Sequence, residues 1–435
     1  MKHQSWLSNF SWPPALQYRD YRLLWIGLFI STIGTQMQLV AVNWHVFDLL
    51  RGQTFTINLF GRTIDLGAEA LGLGTLGLVR VIPIVLFALL GGMLADTHNR
   101  RTLLIRAQVV SGLIAGVLAI LTITGHVTVP VIYLATSGLA AVAAFANPSQ
   151  QSLVPHLVPP EHFQNAVTLN NLLFTTAGIV GPAVAGLMVA YLDIGIVYAI
   201  NAISFVAVVI SLMMLSYRGQ PAVNAKGLGW DALIEGLRFT FRTKIIWSTM
   251  VLDFLATFFS SARTMLPIIA TDILGLGAVG YGWLSAAQPV GSVVAASALA
   301  TRRDMNHQGT VLLVSVIIYG IATAFLGLST SVILSFILLA LTGAGDTVST
   351  VIRGTVRQMM TPDELRGRMT SVNMMFFMGG PQLGELEAGL VAAVWGVPFA
   401  IVTGGLATVL ITGLIAWKYP ELRQYDSPEA APAPG

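Results

Sequence analysis

Six charged side chains fall inside long apolar stretches of the chain: Arg80, Asp253, Arg263, Asp346, Glu385 and Glu387. A charge inside a bilayer is costly, so such residues face a bundle interior or a water-filled cavity and pair with one another. Two kinds of chemistry are open to this set: proton binding by the carboxylates and charge compensation by the guanidiniums. A coupling carboxylate must hold its proton near neutral pH, and burial favours that form. Depth in the apolar segments ranks Glu385 first, then Asp346, then Asp253 as proton-coupling candidates. Arg80, from the other half of the chain, is the natural counter-charge, with Arg263 and Arg353 as further counter-charge or gating candidates. A salt bridge from Arg80 to an acid of the C-terminal half would hold one conformation, and protonating the acid would release it. The alternative is a static buried pair that specifies packing. Glu385 and Glu387 are two residues apart, about 200° around a helix, and cannot face one way. Asp346 and Arg353 are two turns apart and share a face, with Arg353 read as a gate or lipid contact at the inner mouth. Gln36, Gln288, Asn373 and Gln382 supply uncharged polarity for a substrate cavity.

The elements that must position these residues follow from composition. The chain has 435 residues, of which 23 are basic and 20 acidic, and 55% are hydrophobic. Soluble domains carry about 25% charged residues, and disorder needs low hydrophobicity, so a polytopic membrane protein is the class that fits. Helical spans need about 20 apolar residues each. Twelve are read, over 22–49, 71–94, 102–124, 128–150, 164–191, 194–216, 246–273, 278–300, 309–328, 331–352, 370–394 and 397–418. They are uniformly apolar and rich in Gly and Ala, which suits close helix packing and excludes a β-barrel, whose strands alternate.

Nineteen of the 23 basic residues fall in the N-terminus, the even-numbered connections and the C-terminus, whereas only Arg51 and Arg62 fall on the other side. The positive-inside rule puts both termini in the cytoplasm. The chain also repeats itself. Leu71-Gly72-Leu73-Gly74 returns as Leu274-Gly275-Leu276-Gly277, Arg100-Arg101 returns as Arg302-Arg303, and Thr168, Asn171 and Phe174 return as Thr370, Asn373 and Phe376, at offsets of 202 to 203. The expected organisation is an N-terminal six-helix bundle over 1–217, a cytoplasmic linker with an amphipathic helix over 218–245, a C-terminal six-helix bundle over 246–420, and a disordered tail over 421–435. The outer loop 51–70 has no counterpart in the second half. Phe55, Ile57 and Leu59 alternate with polar residues, as do Ile64 and Leu66, which predicts a β-hairpin turning at Phe60-Gly61.

The run Gly91 to Arg101, with Gly92, Asp96, Arg100 and Arg101, resembles the conformational-latch motif between the second and third spans of the major facilitator superfamily. Arg100 and Arg101 are read as bridging to carboxylates or lipid phosphates. The run Gly178, Gly181, Pro182 and Gly186 resembles the superfamily's antiporter motif, with Ala185 standing where a glycine is expected. Arg19 to Gly27 and Thr361 to Arg368 are similar to the exporter branch that includes the enterobactin exporter and macrolide-efflux proteins. The resemblance covers about Arg19 to Lys418. It implies an all-α membrane protein of twelve transmembrane helices in two pseudo-symmetric six-helix halves, working by alternating access. It also implies a proton-coupled exporter of amphipathic small molecules such as drugs or siderophores. Its expected partners are that substrate, protons and the lipid bilayer, with a monomer as the working unit.

Other classes find little support. The chain has no Cys, no pair of His at metal-ligand spacing, no phosphate-binding Gly-Lys-Ser/Thr loop and no Gly-x-Ser-x-Gly nucleophile. No cofactor, metal or enzymatic activity is expected. The basic loops are accounted for by topology, so nucleic-acid binding is not called for. A lipid or lysolipid flippase on the same fold, or an uptake symporter, remains open as an alternative.

Overall fold

The computed structural model describes residues 12–59, 62–218, 230–301, 306–362 and 365–426. Six long helices form the first half: α1 (Arg19–Leu50), α2 (Ala68–Thr97), α3 (Arg100–Ile123), α4 (Val129–Leu153), α5 (Phe163–Tyr191) and α6 (Ile194–Met213). The short α7 (Trp230–Arg242) follows, then α8 (Lys244–Phe259), α9 (Gly277–Ala300), α10 (Gln308–Leu328), α11 (Val332–Met360), α12 (Arg366–Trp395) and α13 (Val397–Lys418). Among the described residues, eleven segments are long and apolar enough to cross a membrane. The twelfth span is α12, which carries Glu385 and Glu387 and has 30 residues, ample for a hydrocarbon core of about 30 Å.

The internal repeat is visible as repeated packing. In the first half α1 lies on α5 and α6, α2 on α4, and α3 on α4 and α6. In the second half α8 lies on α12 and α13, α9 on α11, and α10 on α11 and α13. The halves meet through α2 against α12 and α5 against α9. Glycines allow the backbones to touch there: a Cβ added to Gly74 would sit 2.7 Å from the Gly389 Cα, and one on Gly186 would sit 2.7 Å from the Gly282 Cα. Small residues are how helices gain dispersion contact where lipid tails compete equally for apolar surface.

The hairpin predicted in the 51–70 loop forms. Strand β1 (Thr54–Leu59) pairs antiparallel with β2 (Arg62–Gly67), from Thr54↔Gly67 to Leu59↔Arg62. The turn residues Phe60 and Gly61 lie outside the described residues. An isolated hairpin is marginal in water, and β2 rests on the end of α12. The hairpin marks one end of the bundle and the chain termini mark the other.

The core is distributed unevenly between those ends. At the hairpin end one continuous cluster draws on both halves, including Phe47, Leu73, Leu76 and Ala185 from the first and Met265, Ile269, Tyr281 and Ala392 from the second. At the terminal end the clusters separate. Leu24, Leu104, Leu173 and Leu212 belong to one, Leu252, Leu312, Ile352 and Ile415 to another, and Ile246, Met250, Met369 and Val372 to a third. The described halves are thus joined by shared apolar burial at the hairpin end and have separate cores at the terminal end.

Three boundaries differ from the sequence reading. The tenth span, predicted to end at 352, continues as α11 to Met360, so Arg353 and Arg357 sit within the helix and not in a loop; removing both from the count leaves the charge asymmetry intact. The seventh span is not one helix: α8 stops at Phe259, Ser260–Ala262 are non-helical, and short turns through Arg263–Met265 and Ile269–Ile273 complete the crossing. The tail predicted over 421–435 begins folded, because Leu422 is fully buried and the Gly309 amide donates to the Tyr425 carbonyl at 3.0 Å. Residues 427–435 lie outside the described residues.

Candidate functional site

The deep charges gather in two places. The first lies between the halves, towards the hairpin end. Arg80 of α2 donates from Nη1 to the Glu385 Oε2 of α12 at 3.2 Å, with side-chain exposures of only 10% and 8%. The other terminal nitrogen of Arg80 donates to the Asn43 Oδ1 of α1 at 3.0 Å. The buried Tyr281 hydroxyl of α9 faces the side chains of Asn43 and Ser285. Trp44 stacks on Tyr281 with ring centres 5.9 Å apart. Helices from both halves therefore converge on one guanidinium–carboxylate pair. Gly77 lets this happen, because a Cβ there would collide with the Gln382 carbonyl.

Arg263 approaches the same place from the break in the seventh span. Its turn touches α2 and α12, and it lies close enough to Glu385 and Tyr281 to act on both electrostatically. The preceding Ser261 hydroxyl donates to the Pro381 carbonyl at 3.2 Å. Gln382 sits one turn before Glu385 on α12, with a buried amide oxygen that has no hydrogen-bond partner.

The second cluster lies wholly within the C-terminal half, nearer the terminal end. Arg353 of α11 pairs with Asp253 of α8, and both are almost completely buried. Arg353 also reaches back along its helix to Asp346 at 3.9 Å and donates to the Thr350 hydroxyl at 2.9 Å. Asp346 is 40% exposed and faces a small pocket lined also by Thr257, Tyr319 and Ser349. The reading of Arg353 as a lipid contact at a mouth does not hold in this geometry. Its guanidinium is held in the half's interior by two carboxylates.

The remaining predicted residues separate by environment. Glu387 is half-buried and shares a helical face with the exposed Leu390 and Val394, apart from Glu385 as the 200° spacing requires. Gln36 is half-buried, and its Cβ is what a side chain on Gly181 would strike at 2.6 Å. Gln288 and Asn373 are half-buried on α9 and α12. Gly178 rests on Pro289 of α9, and Pro182 and Gly186 meet Gly282 of α9. The antiporter-like run is thus the seam between α5 and its neighbours α1 and α9. Pro182 and Pro381 sit inside helices without ending them.

Among the described residues, Arg100 and Arg101 meet backbone carbonyls and a histidine. Arg100 donates to the Ser152 carbonyl at 3.3 Å and contacts His156 Nε2 at 2.8 Å. Arg101 donates to the Leu212 and Met213 carbonyls at 2.7 and 2.9 Å. These are open carbonyls at the ends of α4 and α6, where a cation is favoured. Gly92 lies within α2, and the side chain of Asp96 lies outside the described residues. Sequence reasoning also left Arg19 and Asp20 without a role. The Asp20 carboxylate accepts from the Ser216 and Tyr217 amides and Arg19 donates to the Met214 carbonyl, tying the start of α1 to the end of α6.

Twelve spans in two repeated halves, with a buried ion pair between them, define a multi-pass membrane transporter of the major facilitator class. The chain belongs to the transmembrane secretion effector family, whose model matches residues 10–434. It is 24% identical over 425 residues to the enterobactin exporters EntS of Shigella boydii serotype 18 and of Escherichia coli O81, covering 98% of this chain and 97% of each relative. Among solved structures, it resembles a D-xylose–proton symporter (TM-score 0.72, 13% identity, 94% of this chain and 99% of that one). It also resembles a bacterial homologue of the human lysosomal transporter Spinster in an inward-facing and occupied conformation (TM-score 0.70, 12% identity, 96% and 100%). At those identities the likeness is one of fold.

Proposed function

We propose that the protein is a proton-coupled exporter of amphipathic small molecules, siderophores or drugs, in a bacterial inner membrane with both termini in the cytoplasm. The charge asymmetry of the loops supports that orientation, under which the separated terminal end opens inwards. The relatives named as enterobactin exporters support the direction and the substrate class. The two six-helix bundles, with the linker between them, act as the moving bodies about a central site.

The observation that carries proton coupling is the bridge from Arg80 to Glu385, because its members belong to opposite halves. Opening the hairpin end must pull them apart. Removing one partner from a buried ion pair costs about 3–5 kcal/mol, so the charged bridge latches this end shut. A protonated Glu385 offers no charge for Arg80 to hold, and the halves can then part or close over a neutral carboxyl. Asp253 and Asp346 stay with Arg353 in one rigid half and need no proton for that movement.

Reconstitution into proteoliposomes tests this reading. An imposed pH gradient should drive movement of a substrate from a panel of dyes, siderophores and lysolipids, with protons moving the opposite way. Movement of lysolipids alone would favour the flippase alternative, and no gradient-dependent movement of any compound would remove proton-coupled export.

A further inference from the structure

Arg263 is a deep charge beside the latch that the latch does not use. Its side chain is exposed although the residues around it, Ala262, Thr264, Met265 and Leu266, are buried. Neither an ion-pair nor a hydrogen-bond partner is found for its guanidinium among the described residues. The turn that carries it touches α2 and α12 and lies beside Glu385 and Tyr281, at the junction of the two halves. Irregular backbone at membrane depth persists where it is buried in protein or lines a cavity, and broken helices are where transporters place their ligands. The equivalent span of the first half, α1, runs unbroken over 32 residues.

The charge balance points the same way. Arg80 and Glu385 neutralise each other, which leaves the junction of the halves with the uncompensated positive charge of Arg263. A guanidinium there has its donors free and strongly favours a carboxylate or phenolate oxygen, which it can hold through charge-assisted hydrogen bonds. The buried, unpartnered amide oxygen of Gln382, one turn from Glu385, adds an acceptor for a neighbouring hydroxyl or N–H. We propose that Arg263 is the anion-recognising ligand of the central cavity, and that the transported class is amphipathic molecules carrying an acidic oxygen. This rests on the transporter reading above and deepens it by naming the substrate's charge.

The test is equilibrium binding to the purified, detergent-solubilised full chain with no pH gradient, read by fluorescence anisotropy. Two xanthene dyes of similar skeleton serve as probes: fluorescein, with a carboxylate and a phenolate, and rhodamine 6G, an esterified cation. Arg263→Gln should weaken fluorescein about 10- to 100-fold, the range for losing a charge-assisted hydrogen bond. Rhodamine 6G should change by less than about twofold. Arg263→Lys, which keeps the charge without the planar fork, should weaken fluorescein less. It also serves if the Gln variant does not fold. Wild-type protein that does not bind fluorescein, or Arg263 variants that change both dyes equally, would overturn the assignment. Proton-driven export could fail while this charge preference stands, or the reverse, so the two readings fail separately.

Discussion

The two buried charge clusters differ in which bodies they join. Arg80 and Glu385 span the halves at the hairpin end, whereas Asp253, Arg353 and Asp346 are confined to the C-terminal half. A pair within one rigid half stabilises that half in every state. A pair between halves stabilises one state relative to another. Under the proposed function the same chemistry is structural in one place and conformational in the other, and the difference lies only in whether the helices move together.

The largest effect that would break this contrast is on Arg353. Arg353→Met strands the buried Asp253 carboxylate beside Asp346 and should cost about 3–5 kcal/mol of stability, read as a large fall in the unfolding temperature in detergent. Arg80→Met should cost clearly less, because opening of the hairpin end lets water reach Glu385. Equal losses would mean the two clusters are equivalent, and the contrast would be wrong.

A second effect concerns closure itself. Gly389 lies backbone-to-backbone against Gly74, so Gly389→Val should hold the hairpin end apart without touching any charge. The chain has no cysteine, so a single Ala393→Cys, buried at that end, reports opening cleanly. Its maleimide labelling should rise on the order of tenfold with Gly389→Val, equivalent to about 1.4 kcal/mol of bias. Unchanged labelling would show that the glycine contact is not what sets closure.

The smallest effect belongs to a second cross-half ion pair among the described residues. Arg51 and Asp272 meet at 3.2 Å but are 52% and 37% exposed. Exposed pairs contribute about 0–1 kcal/mol, so Arg51→Gln should change Ala393→Cys labelling by less than about fivefold. A larger change would place the latch at the rim and not at the buried bridge.

Much of this arrangement was legible in the sequence. Scarcity of charge identified the spans, and the few charges left inside them identified Arg80 and Glu385 as partners in waiting. Alternation disclosed the hairpin, because period two survives even in a short loop. Three features were not legible, each for a physical reason. Arg353 follows an apolar run and so reads as the end of a span; only the placement of Asp253 on α8 makes it an interior residue. The break at Ser260–Ala262 is written in small residues that also occur in continuous membrane helices. Three of the described partners of Arg100 and Arg101 are backbone carbonyls, which leave no mark in residue types.

The central claim is that Glu385 carries the proton because its counter-charge belongs to the other half. The direct measurement is Glu385→Gln in proteoliposomes, with dye and proton movement recorded together against wild type and Asp253→Asn. The account predicts that Glu385→Gln still binds and equilibrates dye but loses proton-driven accumulation, while a folded Asp253→Asn retains it. Wild-type proton flux coupled to dye movement in Glu385→Gln would contradict it.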